Sequence, residues 1–187
     1  SVAAGGENIQ EGFTGAASEA EIAVVKLKEA KDYLRKFYGI RQKAVCYQET
    51  DIVQGLRYLH LLALKKQKPL VMCVALGTNL GGHNGMSSLS RILGSYSRLV
   101  DRCVVIGGGN EANERHHFQG KLNQVGEVQE VEMRVESGNT GFVAELWGTI
   151  PNIVTAYLIS PSGERSPVIS IRQGSRYQLT FPFEQTG

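Results

Sequence analysis

Leu70-Val-Met-Cys-Val-Ala-Leu-Gly77 and Arg102-Cys-Val-Val-Ile-Gly-Gly-Gly-Asn-Glu111 decide the fold of this chain. Each is a short apolar run, rich in β-branched residues, that stops at glycine. That is the pattern of a strand in a buried parallel sheet. Between them, Ser87 or Ser88 can start a helix that runs to about Leu99. Strand, helix, strand implies parallel neighbours joined by a crossover. Both runs end in glycine loops, the first being Gly77-Thr-Asn-Leu-Gly-Gly-His-Asn-Gly85. Two such loops point to one site at the carboxyl edge of the sheet.

Asn110 is the most informative residue in those loops. Glycines permit close approach and positive φ, so an amide fixed behind three of them can aim its NH2 donors at one point. Oxyanion stabilisation needs rigid donors where negative charge develops. A plain tight turn is the competing reading of Gly-Gly-Gly-Asn.

Working outward, the first two-thirds of the chain continue the alternation. Residues 22–27 form a short β-rich run, and residues 29–38 are charged with apolar residues at helical spacing before Gly39. Thr50 or Asp51 can cap a helix to about Gln67, with Ile52, Leu56, Leu59 and Ala63 on one stripe and Pro69 beyond its end. After Gly120 the pattern changes to short strand candidates at 127–136, 141–147, 153–160, 167–172 and 176–183, separated by turn signals. The expected fold class is α/β, a partial parallel sheet with flanking helices, followed by an antiparallel β segment of sandwich or jelly-roll type. The boundary is expected near 120–126, giving a first domain at 1–122 and a second at 123–187.

Composition narrows the function classes. The chain has 187 residues, 42% hydrophobic and 20% charged, with a formal net charge of +2. Neither nucleic-acid binding nor membrane binding is indicated, and the basic stretches 26–43 and 65–68 suit solvated helix faces. Cys46, Cys73 and Cys103 cannot all pair, and no CxxC or Cys/His spacing suggests zinc. Cys73 and Cys103, inside apolar runs, are expected to be buried free thiols in a reducing compartment. His60 reads as a packing or surface residue on an amphipathic helix, and His116-His117 as loop residues without the partners of a metal site. No metal or cofactor is expected.

The motifs together resemble the subtilisin-like serine peptidase family. Val104-Val-Ile-Gly-Gly-Gly-Asn110-Glu is similar to that family's Ala-Ala-Gly-Asn-Glu strand end, and Cys73-Val-Ala-Leu-Gly77 to its Ser-Leu-Gly strand. Gly15-Ala-Ala-Ser-Glu-Ala-Glu-Ile-Ala-Val-Val-Lys-Leu27 resembles the Gly-Val-Ala-Pro segment and the strand after it. Ser1-Val-Ala-Ala-Gly resembles the helix behind the His-Gly-Thr motif. Asn113-Glu-Arg-His-His117, Glu145-Leu-Trp-Gly148 and Ile159-Ser-Pro-Ser-Gly-Glu164 are similar to the branch that includes spore-germination proteases, which carries an inserted jelly roll. Departures are Gly107 and Gly108 where Ala is common, Ala75 where Ser is common, and Ser18 where Pro is common.

The resemblance implies peptide-bond hydrolysis in which Asn110 serves the oxyanion. Ala75, Leu76 and Gly77 would pair with an extended substrate, and Gly107, Gly108 and Gly109 would line the first specificity pocket. Cys46-Tyr-Gln-Glu49 falls where the family places the opposing edge strand. The family's Asp, His, Ser order leaves the triad outside these residues, so the chain is expected to be an internal fragment, inactive alone. A polypeptide substrate is the implied partner, and cut sheet edges imply self-association. A cytoplasmic or spore-associated location is expected. Two alternatives stand beside this: a non-catalytic relative that binds peptides, and a ligand-binding β domain using Phe142, Trp147, Tyr157 and Tyr177.

Overall fold

The computed structural model describes residues 2–41, 43–137, 141–170 and 176–184. They form two compact units, Ser1–Val143 and Ala144–Gly187. The sequence pattern changes near 120–126, and the first unit runs on to Val143. Residues 127–136 carry no regular strand and go with the first unit.

In the first unit the elements are α1 (Asp32–Phe37), α2 (Glu49–Lys66), β1 (Leu70–Val74), α3 (Ser88–Ser97) and β2 (Arg102–Ile106). β1 and β2 are parallel neighbours, with Leu70 opposite Arg102 and Val74 opposite Ile106. α3 is the element between them in the chain, so the expected strand–helix–strand unit forms. Ser87 starts α3 as read, its Oγ accepting from the Ser90 amide at 3.1 Å.

α2 departs from expectation at its start. Gln48, in extended conformation, occupies the capping position without a side-chain cap bond, and its side-chain Nε2 instead donates to Thr50 Oγ1 at 2.6 Å. At the other end, Gln67 turns left-handed with φ 53° and Lys68 N–H returns to the Ala63 carbonyl. That closure ends the helix at Lys66, three residues before Pro69.

Leu56, Met72, Val74 and Leu93 form the core, with Ile52, Leu89, Tyr96 and Val104 packed around them. Met72 and Val74 share one face of β1 because side chains alternate, and α2 and α3 cover that face. Val71, Cys73, Cys103 and Val105 have the opposite parity and are exposed. This corrects the expectation for the thiols: Cys73 and Cys103 are free but exposed, and Cys46 is half-buried.

The expected strand at 22–27 does not form a ladder. Its alternation survives as packing, with Val25 and Leu27 half-buried against α2 at Gly55. Residues 2–4 form a turn rather than a helix tail. Residues 46–49 make no edge strand; Tyr47 forms a single bridge to Glu29, and Glu49 already begins α2.

The second unit holds β3 (Thr155–Ala156), paired antiparallel with β4 (Ile169–Ser170), and a short 3-10 turn at Pro182–Glu184. Strands expected at 127–136 and 141–147 do not form, and those at 153–160 and 167–172 shrink to two residues each among the described positions. Residues 176–183 likewise form no strand. An alternating pattern becomes a strand only when a neighbour pairs its backbone, and Val128, Met133 and Leu146 instead stay exposed. Of the turn signals between the expected strands, Ser137-Gly-Asn139 lies partly and Gln173-Gly-Ser175 wholly outside the described residues. Among the described residues the result is a small α/β arrangement with one parallel and one antiparallel pair of strands.

Candidate functional site

Parallel pairing brings the carboxyl ends of β1 and β2 to one edge, so both glycine loops leave the sheet side by side. Ala75, Leu76 and Gly77 follow β1 directly; Leu76 packs on the core while Ala75 and Gly77 are exposed. Gly107, Gly108, Gly109 and Asn110 follow β2 and are all exposed. Gly107 N–H donates to the Val74 carbonyl at 3.3 Å, extending contact between the two segments past the strand ends.

A Cβ added at Gly77, Gly107, Gly108 or Gly109 would meet nothing within 4 Å. The space around the loops is open. Gly109 needs to be glycine for its backbone, at φ 81°.

Side chains from the two loops meet in a polar cluster that sequence reasoning did not anticipate. Asn79 Nδ2 donates to Glu111 Oε2 at 2.7 Å, and His116 Nδ1 lies 3.1 Å from the same oxygen. Asn79 Nδ2 and His116 Nδ1 are 3.3 Å apart. His83 Nε2 sits 3.2 Å from the Asn79 carbonyl, and its ring stacks on His117 at 4.4 Å between centroids. The Asn79 hydrogen bond, followed by that of His116, holds the Glu111 carboxyl below its ordinary range. The available signal was the shared sheet edge, which brings residues 32 and 37 positions apart into one place.

The remaining histidine serves packing, as read. His60 lies against the Tyr96 ring at 5.1 Å, and its Nδ1 accepts from Arg102 Nε at 3.4 Å. Among the described residues, no group of three or more His, Cys, Asp or Glu side chains could hold a metal ion. No helix among them is long and apolar enough to cross a membrane. An assembled Asp–His–Ser triad is not present among the described residues, and no assembled oxyanion hole is evident.

No family model and no curated protein sequence matches the chain. Among solved structures, that of the Clostridium perfringens CspB protease matches with a TM-score of 0.68 and 25% sequence identity, over 92% of this chain and 34% of that one. The chain spans about a third of the length of that protease. The likeness amounts to a distant relationship with a subtilisin-like protease.

Proposed function

We propose that this chain carries the oxyanion side and part of the substrate cleft of a subtilisin-like serine endopeptidase. Asn110 is the donor to the tetrahedral oxyanion. Ala75, Leu76 and Gly77 pair with the backbone of an extended polypeptide substrate, a form of strand addition, and Gly107, Gly108 and Gly109 line the pocket for its first side chain. None of the 187 residues is assigned to the Asp–His–Ser triad, so the chain by itself has no peptidase activity. In this reading residues 123–187 correspond to a jelly-roll insertion, and the open edges of the sheets are places where chains associate. No cofactor is involved, and a cytoplasmic or spore-associated location belongs to the same reading.

The observation that supports it best is the parallel pairing of β1 and β2, which opens both glycine loops at one sheet edge. The likeness to a protease over nearly the whole chain supports it independently. Asn110→Ala in the protein as its gene encodes it tests the assignment. An oxyanion Asn in subtilisin is worth roughly 100- to 1,000-fold in kcat, a magnitude taken over from that enzyme. A fall of that order with KM nearly unchanged is expected, because the contact strengthens in the transition state. A rise in KM with kcat intact contradicts the role.

A second reading is a non-catalytic relative that binds peptides in the same cleft, which needs only the open loops at the shared sheet edge and not the triad. Absence of peptidase activity in the gene-encoded protein, with peptide binding retained, selects it.

A further inference from the structure

Asn79 and Glu111 stand on different glycine loops, yet their side chains share one hydrogen bond at 2.7 Å. His116 closes on the same carboxylate oxygen from farther along the second loop, at 3.1 Å. The protons settle which contacts are bonds. Glu111 Oε2 accepts, so His116 must carry its proton on Nδ1 to donate there. Asn79 Nδ2 then cannot also donate to Nδ1, and their 3.3 Å approach is proximity within a shared site. Glu111 thus gathers two donors, one from each side of the gap between the loops.

We propose that Asn79, Glu111 and His116 form a latch that joins the two loops and positions Asn110, the chain neighbour of Glu111. The positioning role rests on the oxyanion reading above. A donor is useful only if it is held still before charge develops, and past the Gly107 bond to Val74 the glycine side supplies no side chain to hold it. Gly107 and Gly108 have no neighbour within 4 Å of where a Cβ would stand. The latch supplies, one residue after Asn110, the restraint that the glycine run lacks. His83 adds a second crossing through its stack on His117 and its contact with the Asn79 carbonyl.

Glu111 and His116 are both more than half exposed. Exposed pairs add little to global stability. The latch therefore acts on loop order, which is what an experiment can separate from folding.

Amide hydrogen exchange on the full chain at neutral pH reads the latch without reference to catalysis. Asn79→Ala and Glu111→Ala are each expected to speed exchange several-fold in both loops, 77–81 and 107–111, with the melting temperature nearly unchanged. The double variant should exchange no faster than the worse single one, because the two side chains form one unit. Glu111→Gln, which keeps an acceptor oxygen without the charge, should fall between wild type and Glu111→Ala. Acceleration confined to the loop that carries the substitution, or additive effects, overturns the latch. So does a large effect of His83→Ala with none from Asn79→Ala.

The positioning role is read as turnover in the gene-encoded protein. Asn79→Ala should lower kcat by part of the Asn110→Ala loss, leave KM nearly unchanged, and add nothing to Asn110→Ala. A kcat that falls with Asn110→Ala but not with Asn79→Ala overturns positioning. If Asn110→Ala itself leaves kcat intact, the oxyanion reading fails and positioning falls with it; coupled exchange between the loops then marks the failure as that of the function rather than of the latch.

Discussion

Arg35 shows how much one side chain decides in this fold. It is buried, 7% exposed, and among the described residues its guanidinium reaches Ala30 through Nε (carbonyl, 3.1 Å), Ala44 through Nη1 (carbonyl, 2.5 Å) and Glu29 Oε2 through Nη2 (2.9 Å). These contacts close the stretch from Glu29 to Tyr47, alongside the hydrogen bond that Ala30 N–H donates to the Cys46 carbonyl at 2.8 Å. Arg35→Ala strands two carbonyls and should cost about 1–3 kcal/mol, measured by urea unfolding. Lys cannot reproduce a planar three-way fork, so Arg35→Lys should recover little; full recovery would reduce Arg35 to a point charge. Nothing in the basic run 26–43 distinguished Arg35 from its neighbours, since burial depends on which carbonyls the fold brings around it. Asn110 is the opposite case. Its place at a strand end was legible from Gly-Gly-Gly-Asn alone, whereas the neighbours of its loop, Asn79 and His116, were not.

At the scale of elements, α2 is held from outside as well as by its own periodicity. Gly55 lets the 22–27 segment approach: a Cβ there would stand 3.1 Å from Val25 Cγ1 and 3.7 Å from Leu27 Cδ2. Gly55→Leu should therefore destabilise by about 1–3 kcal/mol through overpacking. Better helix propensity offsets about 1 kcal/mol of that at most. A thermal melt that rises in the variant would show that Val25 and Leu27 yield freely. The two long helices and both parallel strands were legible because helical and buried-strand patterns are local properties of a segment. The strands read at 127–136 and 141–147 failed because alternation needs a paired neighbour, which no local window contains. The thiols failed for a related reason. An apolar run implies burial on both faces of a strand, yet α2 and α3 cover one face of β1 and β2, leaving Cys73 and Cys103 on the other.

Across the whole molecule, charges far apart in sequence tie segments that share no ladder. Lys66 donates to Glu21 at 2.6 Å and Lys68 donates to the other oxygen of the same carboxylate. The two lysines, Lys66 first, hold the Glu21 carboxyl down at about 2. A lowered folded-state pKa contributes stability above the ordinary carboxylate value, and that contribution fades as pH falls through about 2. Glu21→Gln should lower the melting temperature by a small, constant amount from neutrality to about pH 5. The difference from wild type should vanish towards pH 2 and shrink in salt; a gap independent of pH would exclude the ion pairs as its cause. At this scale the sequence by itself determined the α/β class of the first unit, the β1–α3–β2 order and the strand-end position of Asn110. Periodicity, capping and glycine punctuation are written into short windows of the chain. Only the tertiary structure decided which sheet face is covered, which arginine is buried, and that Asn79, Glu111 and His116 meet. Those contacts join residues tens of positions apart, and their proximity follows from parallel strand pairing rather than from any one segment.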